Sequence, residues 1–491
     1  MSCLKNPDVV TMMGLDFGST TSSAMVAEAK VGLNSVSGRM EFGRPQVVYR
    51  SDSVFTPFDG EKIDAVRVGH YLDQWIAESN VRCEDIFAGG VIITGLAAKQ
   101  VNAGALARLV GKRIGEAVIA TADDPCLESW LAFMGSCSAL SRLYPETPFI
   151  NLDIGGGTTN PAMGINGNVL HTGCYFIGAR HFRFTPGTYR LKAISSYGRS
   201  ILKDLAIFKK TGDTFSESET DAVLGFYVSA LEAIVTGDAD FFNTAAGRLH
   251  RQVPFEIDTD GQSLPTLTFS GGIGELIYRS SRGRELPGTT FYGDLGIDLA
   301  RKIMKSPVLS AHIRTTIPEN MGRATVYGLA LHSTEVSGTT IFLSRSECLP
   351  CRDLPIVARL SLDAGPKEIQ KALLLVGNSN NGACIQILSD RNEKRPQAGI
   401  TLPPGESLAR IKYFGKGLAE NCERLRFLLH QTLVLLVPFN YGQALGNYAS
   451  NWRQSPVNFI VIDEIPDRSA HFVNIGRLHG NIVPVSFYGV S

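Results

Sequence analysis

Short apolar runs alternate with amphipathic stretches along most of this chain, and this pattern predicts an α/β architecture. The run VTMMGLDFG predicts a strand that ends near Asp16, and SSAMVAEAKV after it predicts the other arm of a hairpin. PFINLDIGGG predicts a second strand, which ends near Asp153 and is again followed by a hairpin partner. SESETDAVLGFYVSALEAIV has helical spacing, and its Ser and Glu residues are typical of a helix start.

The apolar pattern starts again after about Thr340, with the strand-like runs KALLLVG, LVLLVPF and FIVIDEI. At roughly 150 residues per domain, a chain of 491 residues is expected to hold about two to four domains. We therefore predict a first lobe over residues 1–145, a second lobe over residues 146–340 and a C-terminal α/β unit over residues 341–491.

Composition and charge reduce the number of functions and locations expected for this protein. The 47 basic and 47 acidic residues balance, which gives no reason to expect a nucleic-acid partner or an anionic membrane. The longest apolar run, residues 425–439, is interrupted by His430 and Gln431 and is too short to span a bilayer. The N-terminus lacks a secretory pattern, and the nine scattered cysteines are typical of reduced thiols. We expect a soluble cytoplasmic protein.

Two predicted hairpins carry the same order of residue types. GLDFGSTTSS and NLDIGGGTTN both place an Asp, an apolar residue, glycine and then hydroxyl residues behind a strand. Backbone N–H groups bared by glycine can form an anion-binding nest, and threonine hydroxyls can donate to phosphate oxygens. The Asp can hold a hydrated Mg²⁺ or orient an attacking water. Two such hairpins facing each other would clamp one polyphosphate from both sides.

Other chemistries fit this repeat less well. Aspartic proteases need a small hydroxyl residue straight after each Asp, whereas Phe17 and Ile154 stand there, and the predicted helices do not suit an all-β protease. A glycine turn with an incidental Asp explains one copy more readily than two. No GxxxxGK[ST] motif is present, and SGGIGE comes too late in the chain for a dinucleotide-binding βαβ unit.

A third element, LTFSGGIGELIY, predicts a strand, a glycine turn and a helix, where a base and ribose could lie against the backbone. The order of the three elements resembles the actin, hexokinase and 70-kDa chaperone superfamily of ATPases. ADDPCLESWLAFMGS and RATVYGLALH fit its two connecting helices. The resemblance implies duplicated actin-like, ribonuclease H-like lobes around a cleft for ATP and Mg²⁺.

The resemblance also implies roles for particular residues. Asp16 and Asp153 would be catalytic and would hold Mg²⁺ through water. Glu128, in the first connecting helix, would orient water or Mg²⁺, with Asp123 and Asp124 as competing candidates. Ser270 would belong to the adenosine motif. The nucleotide-binding positions would be Gly18, Ser19, Thr20, Gly155, Gly156, Gly157, Thr158, Thr159, Gly271, Gly272, Gly274 and Glu275.

A closer resemblance, over nearly the whole chain, is to the ethanolamine ammonia-lyase reactivating factors. It rests on GGVIITGLAAKQVNA, LDIGGGTTN, LTFSGGIGE, NYGQALGN and VIDEI. That family implies a chaperone-like protein, dependent on ATP and Mg²⁺, which exchanges damaged cobalamin for intact adenosylcobalamin in inactivated ethanolamine ammonia-lyase. It also suggests proximity to a bacterial microcompartment, and a homo-oligomer is left open.

This chain departs from the family pattern at three positions. Ser19 replaces a threonine of the first loop, a change that keeps the hydroxyl, and Leu96 stands where the family has an acidic residue. Pro161 has no N–H and is expected at an edge or bulge of the second hairpin. Lys99 and Lys112 could approach a γ-phosphate, although solvated helix lysines are the simpler interpretation.

Alternative functions remain open, some because of the cysteines and others because the ATPase superfamily is broad. Cys348 and Cys351 form a CxxC that could be redox-active or half a zinc site, but no second pair has ligand spacing. A small-molecule kinase of the same superfamily and an actin-like filament protein remain alternatives. So does an activator of a radical dehydratase, which would need cysteines such as Cys126 and Cys137 to hold an iron–sulfur cluster.

Overall fold

The structure is a computed structural model. Three large β-sheets organise the chain into two similar lobes and a C-terminal unit. The structure describes residues 9–18, 21–34, 39–52, 54–59, 62–93, 109–110, 113, 118–122, 125–257, 265–332, 334–379, 382–388, 404–425, 431–467 and 470–490.

The first lobe is a mixed sheet with a helix on one face. Its elements are β1 (Val9–Phe17), β2 (Thr21–Leu33), β3 (Met40–Phe42), β4 (Gln46–Arg50), β5 (Val54–Phe55), β6 (Phe58–Asp59), β7 (Lys62–Ile63), α1 (Ala65–Ser79), β8 (Ile86–Ile93) and β9 (Val118–Ala122). The strand order is β3–β2–β1–β8–β9, in which β1 and β2 form a hairpin and β8 runs parallel to β1. Phe17 packs against Trp75 of α1. Both residues belong to the apolar core between α1 and the sheet.

Two helices connect the lobes at the first crossing, α2 (Pro125–Ser136) and α3 (Ser138–Leu143). The second lobe follows with β10 (Phe149–Ile154), β11 (Thr159–Ile165), β12 (Asn168–Thr172), β13 (Cys174–Tyr175), β14 (Phe182–Phe184), β15 (Leu191–Ile194), α4 (Ser196–Asp204), α5 (Glu217–Thr236), α6 (Ala239–Asn243), α7 (Ala245–His250), β16 (Arg251–Val253), β17 (Thr266–Ser270), α8 (Gly271–Ser281) and α9 (Gly296–Ile303). The predicted Ser/Glu helix start is confirmed: Ser216 and Glu219 form a reciprocal capping box at α5.

The second lobe repeats the arrangement of the first. Its sheet has the order β16–β13–β11–β10–β17, in which β10 and β11 form a hairpin and β17 runs parallel to β10. β1 and β10 therefore occupy equivalent central positions, each between its hairpin partner and a parallel strand. The prediction of duplicated lobes is confirmed by this shared strand order.

Pro161 does not lie in an edge strand, because β11 has neighbours on both sides. Pro161 pairs with Leu152 of β10, and its carbonyl accepts a hydrogen bond of 2.9 Å from the N–H of Gly173. On that second side, Thr159 pairs with β13 and Ala162 pairs with β12. The proline thus occupies the point where β11 passes from one neighbour to the next. The Gly173 carbonyl opposite it accepts a hydrogen bond of 2.6 Å from the Ser129 hydroxyl instead of one from a backbone N–H.

The second crossing helix, α10 (Ala324–His332), packs directly on α2. Glycines on both helices make this close approach possible. A Cβ on Gly135 would collide with the Ala324 carbonyl, and a Cβ on Gly328 would collide with the Leu131 carbonyl. The two crossing helices therefore meet backbone to backbone, and any larger side chain at these positions would push them apart.

The C-terminal unit is an eight-stranded sheet with helices on it. Its elements are β18 (Thr334–Ser337), β19 (Phe342–Leu343), β20 (Cys351–Leu360), α11 (Pro366–Gly377), β21 (Ala383–Ile387), α12 (Pro404–Arg424), β22 (Thr432–Leu436), α13 (Gly442–Ala449), β23 (Asn458–Ile462), β24 (Ala470–Ile475) and β25 (Val483–Val490). The strand order is β18–β25–β24–β20–β21–β22–β23–β19, and β20 to β23 run parallel.

Two details place this unit relative to the rest of the chain. β18 pairs with β25, so the C-terminal sheet begins at Thr334, before the boundary at 340/341 that the sequence predicted. The unit also touches the first lobe, because Arg39 donates to the Pro438 carbonyl at 3.1 Å and the Met40 N–H donates to Glu464 at 3.1 Å. Within the part of the chain that the structure describes, no helix combines the length and apolar character needed to cross a membrane.

Candidate nucleotide-binding cleft

A cleft of about 430 Å³ lies between the two lobes, and both predicted hairpins face it. Asp16, near the end of β1, and Asp153, near the end of β10, lie in its wall. A corresponding backbone hydrogen bond closes each hairpin. The Gly18 N–H donates to the Thr21 carbonyl at 3.0 Å, and the Gly155 N–H donates to the Thr158 carbonyl at 2.9 Å. The repeat seen in the sequence is therefore a repeat of backbone geometry.

Most of the predicted site residues converge on this cleft. Those in its wall are Asp16, Gly18, Glu128, Asp153, Gly155, Gly156, Gly157, Thr158, Gly271, Gly272 and Glu275. They come from both hairpins, from the first crossing helix and from the turn between β17 and α8. Several predicted positions lie outside the described residues, namely Ser19, Thr20, Leu96, Lys99, Lys112, Asp123 and Asp124.

Two predicted nucleotide-binding residues are not brought to the cleft surface. Thr159 is fully buried, and its hydroxyl donates to the Ile177 carbonyl at 2.8 Å. Gly274 packs on the preceding strand, where a Cβ would lie 2.8 Å from the carbonyl carbon of Phe269. Both residues hold the second lobe together behind the site.

Asp153 is the best-defined carboxylate of the cleft. Only 6% of it is exposed, and its Oδ1 accepts a hydrogen bond of 2.6 Å from the Ser270 hydroxyl. Burial raises the pKa of Asp153 to about 6, and the hydrogen bond from Ser270 opposes that rise. The parallel pairing of β10 with β17 brings the two residues together, since Asp153 and Ser270 are register partners.

A buried polar chain continues behind this pair. The Asn151 side-chain amide donates to the Ser270 hydroxyl at 2.8 Å, and the Thr268 hydroxyl donates to the Asn151 side-chain oxygen at 3.2 Å. The Cys137 thiol lies 2.9 Å from the Thr268 hydroxyl, at the junction of α2 and α3. This series of hydrogen-bonded side chains links the crossing helices to Asp153 and holds its carboxylate in one orientation.

The carboxylates of the cleft are suited to a hydrated metal ion. Glu128, only 8% exposed, projects from α2 into the wall that also holds Asp16 and Asp153. No three His, Cys, Asp or Glu side chains of the described residues are close enough to hold a metal directly. Mg²⁺ prefers oxygen ligands and keeps several of its waters, so carboxylates that act through water fit this ion.

An ion pair behind the glycine turn of the second hairpin was not predicted. Arg180 Nε lies 3.9 Å from Asp294 Oδ2, and the Arg180 N–H donates to the Gly156 carbonyl at 2.6 Å. Asp294 lines the cleft and accepts a hydrogen bond of 2.9 Å from the Gly296 N–H, while burial raises its pKa. The one signal in the sequence is the Gly-Asp-Leu-Gly turn before α9, which matches no motif.

The two glycines at the turn between β17 and α8, which the sequence assigned to the adenosine motif, have different surroundings. Gly271 has a φ of 75°, in the left-handed region, and a Cβ there would lie 2.6 Å from the Ile154 carbonyl. Gly272 is not strained, and no atom lies within 4 Å of its Cβ position. Gly271 therefore shapes the turn, whereas Gly272 leaves open space on the cleft side.

No cysteine of the described ranges lines the cleft. Burial raises the pKa of the Cys351 thiol to about 11, and that thiol donates to the Cys348 carbonyl at 3.0 Å. Cys137 is fully buried between α2 and β17, where burial raises its pKa to about 11. A thiol in that position cannot reach a subunit interface, which argues against the iron–sulfur alternative.

The two lobes share a strand order and a hairpin turn, and together with the cleft between them they define the fold of the actin-like ATPases. A more specific assignment comes from the sequence over nearly the whole chain. The chain belongs to the family described as ethanolamine utilisation protein EutA, whose model matches residues 8–489. The family resemblance seen in the motifs is thereby confirmed.

Individual relatives agree with this family. The chain is 27% identical over 484 residues to "Ethanolamine ammonia-lyase reactivase EutA" of Escherichia coli (strain K12), with 96% of this chain and 97% of that protein covered. It is 26% identical over 492 residues to the protein of the same name from Salmonella typhimurium (strain LT2), with the same coverage. Among solved structures, the Aquifex aeolicus PPX-GPPA enzyme matches with a TM-score of 0.34 and 14% identity, covering 56% of this chain and 72% of that one.

Proposed function

We propose that this protein binds ATP with Mg²⁺ in the cleft and uses its hydrolysis to reactivate ethanolamine ammonia-lyase. The observation that carries the nucleotide part is the matched pair of hairpin turns at Gly18 and Gly155, which face the same cleft. Glycine turns present backbone N–H groups to an anion, and two of them on opposite walls suit a chain of phosphates. The reactivation part rests on family membership and on the names of the two relatives.

The residues of the cleft divide the work of hydrolysis among them. Gly155, Gly156 and Gly157 would hold phosphate oxygens, while Asp16 and Asp153 would hold Mg²⁺ through its waters. Mg²⁺ would supply neutralisation of the phosphate charge. Glu128 would orient the attacking water. Hydrolysis in this arrangement needs positioned groups and a water, without any small-molecule phosphoryl acceptor.

The crossing helices offer a path from the cleft to the rest of the molecule. α2 carries Glu128 at its cleft end and contacts α10 through Gly135 and Gly328. α10 in turn lies against β1, where a Cβ on Gly14 would approach the Val326 carbonyl to 2.6 Å. Because these contacts are backbone to backbone, the helices slide or rotate as rigid bodies when the lobes open and close.

Reactivation requires that one nucleotide state bind the inactivated lyase more tightly than the other. To move a two-state equilibrium from 1:99 to 99:1 takes about 5.5 kcal/mol of differential affinity. The C-terminal unit, which contacts the first lobe at Arg39 and Met40, would move with that lobe and present a changed surface to the lyase. The damaged cobalamin would leave in one state, and free adenosylcobalamin would refill the site. A place near a bacterial microcompartment remains a prediction from the family.

The test is recovery of lyase activity. Ethanolamine ammonia-lyase stalled on hydroxocobalamin or cyanocobalamin is incubated with this protein, ATP, Mg²⁺ and adenosylcobalamin, and then assayed. We expect recovery only when all of these components are present, and no recovery with a non-hydrolysable ATP analogue. A phosphorylated metabolite formed in stoichiometric amounts, without lyase recovery, would instead identify a small-molecule kinase.

A further inference from the structure

A second cavity, of about 420 Å³, adjoins the nucleotide cleft and is lined by arginines. It shares Glu275, Arg279, Gly322 and Arg323 with the cleft, so the two spaces are continuous. Five arginines line it, and Glu275 is the one acidic residue among its lining residues. These arginines are Arg50, Arg279, Arg282, Arg284 and Arg323. We call this cavity the arginine pocket.

The arginines of the pocket are not held in ion pairs within the described residues. There, Arg279, Arg282, Arg284 and Arg323 form no ion pair with any Asp or Glu. Arg50 is held by neutral groups: its guanidinium lies 3.5 Å from the Asn320 side-chain oxygen and 5.5 Å above the centre of the Tyr327 ring. Among the lining residues five guanidinium groups stand against one carboxylate, and this excess of positive charge attracts an anion.

The dipole of α8 accounts for only part of this cluster. Arg279 lies in the last turn of α8 and Arg282 caps it, and cations at that end of a helix are favoured in any protein. Arg50, however, lies at the end of β4 in the first lobe, and Arg323 precedes α10. Their convergence on the same cavity from separate segments is not required by the helix dipole.

Position and chemistry identify the class of ligand. A guanidinium presents a planar fork of N–H donors that matches phosphate oxygens in a bidentate manner. Glu275, which belongs to both cavities, comes one turn after Gly271 and Gly272, so the arginine pocket opens from the nucleoside end of the cleft rather than from the phosphate loops. With a nucleoside against the Gly271 turn, a phosphate attached to its ribose would lie on the side of the cleft that adjoins these arginines.

We propose that the arginine pocket is a second phosphate site, which takes a phosphate group on the nucleoside side of a nucleotide bound in the cleft. The proposal rests on the nucleotide binding proposed above. Arg50 comes from the first lobe and the other arginines from the second lobe and the segment before α10, so an occupant of the pocket contacts both sides of the cleft mouth. Because these arginines come from both sides of the cleft mouth, an occupant would favour the arrangement of the lobes in which they line one cavity.

Calorimetry on the full chain tests this site with matched nucleotides. AMP is compared with adenosine 3′,5′-bisphosphate and adenosine 2′,5′-bisphosphate, and pyrophosphate alone is the free-anion arm. We expect at least one bisphosphate to bind about tenfold more tightly than AMP, a gain typical of one charge-assisted contact. The double variant Arg282→Gln, Arg284→Gln should lose that gain and keep its affinity for ATP. Arg424→Gln, on α12 of the C-terminal unit, is the charge-matched control and should retain the gain.

The outcomes separate this inference from the proposed function. Failure of the wild-type protein to bind ATP would overturn the nucleotide cleft itself. ATP binding with equal affinities for AMP and both bisphosphates would overturn the arginine pocket alone, as would a gain that persists in the double variant. Pyrophosphate binding that the double variant loses would support the phosphate site and identify a free anion as a source of its ligand.

Discussion

The Ser270 hydroxyl donates a hydrogen bond of 2.6 Å to the carboxylate of Asp153, and both residues are buried at the floor of the cleft. The two residues are register partners on adjacent parallel strands, although 117 positions separate them in the chain. The Ser270 hydroxyl in turn accepts a hydrogen bond of 2.8 Å from the Asn151 side-chain amide. The bond therefore fixes the orientation of the carboxylate and lowers the cost of its charge in a buried position.

Replacement of Asp153 by alanine should abolish ATP hydrolysis and leave the fold intact. The carboxylate would orient the hydrated metal, so its loss removes stabilisation that the transition state needs. We expect turnover to fall at least about a hundredfold, which corresponds to ~2.7 kcal/mol. Steady-state phosphate release measures this change, and circular dichroism checks the fold. Asp204→Ala, an exposed carboxylate of the same lobe, is the control; equal turnover in the two variants would contradict the role of Asp153.

Hydrolysis should be lost on acidification through a pKa near 6, because Asp153 must be ionised to act. Burial raises this pKa and the Ser270 hydrogen bond lowers it, so Ser270→Ala should raise the pKa further and move the pH profile toward higher pH. The free energy of unfolding depends on pH in the opposite direction to the rate of hydrolysis. The folded state binds the proton more tightly than the unfolded chain, so this group's contribution is lost as the pH rises through about 6. A pH–rate profile that is identical in the two proteins would refute the coupling.

Substitution of the two glycines at the turn between β17 and α8 should affect stability and ATP affinity differently. Gly271→Ala forces a left-handed residue and a collision with the Ile154 carbonyl, so it should lower the free energy of unfolding by about 1–3 kcal/mol. Gly272→Val adds a side chain on the open cleft side, so it should leave the unfolding temperature unchanged and weaken ATP binding about tenfold or more. Thermal unfolding and calorimetry measure the two effects. Wild-type affinity in Gly272→Val would remove this glycine from the site.

The contact between the crossing helices should tolerate no added side chain. Gly328→Ala places a methyl group against the Leu131 carbonyl and should destabilise the protein by about 1–3 kcal/mol. The matched control is Gly225→Ala in the interior of α5, where no atom lies within 4 Å of the Cβ position. That change should instead stabilise the protein by about 0.5–1 kcal/mol, the ordinary difference between the two residues in a helix. Chemical denaturation that gave the same sign for both variants would contradict the close approach of α2 and α10.

The paired cysteines of the C-terminal unit should be dispensable. Burial raises the pKa of both thiols, so neither is a reactive thiolate at neutral pH. We expect the double variant Cys348→Ser, Cys351→Ser to retain hydrolysis and lyase reactivation, with no stoichiometric zinc or iron in the purified wild-type protein. Metal analysis that found about one equivalent, lost in the double variant, would revive the zinc-site interpretation of the CxxC.

Sequence reasoning succeeded where short segments carry their own conformational preference. The two Asp-glycine hairpins, the glycine turn before α8 and the capped start of α5 depend on residues within a few positions of one another. These motifs, in their order along the chain, carried the resemblance that implied duplicated lobes, and in both lobes the structure shows a central strand between its hairpin partner and a parallel strand. Most of the residues predicted from the motifs lie in the cleft wall, because phosphate-binding turns need glycine and hydroxyl residues at fixed spacing.

The tertiary structure decided what depends on contacts between distant segments. The pairing of β10 with β17 brings Ser270 to Asp153, and the pairing of β18 with β25 moves the last boundary to Thr334. It also turned Thr159 and Gly274 away from the cleft and gathered the arginines of separate segments around one cavity. A sequence by itself records spacing along the chain, whereas sheet register and helix packing set distances through space. For this reason the local turns were predictable and the partners across the sheets were not.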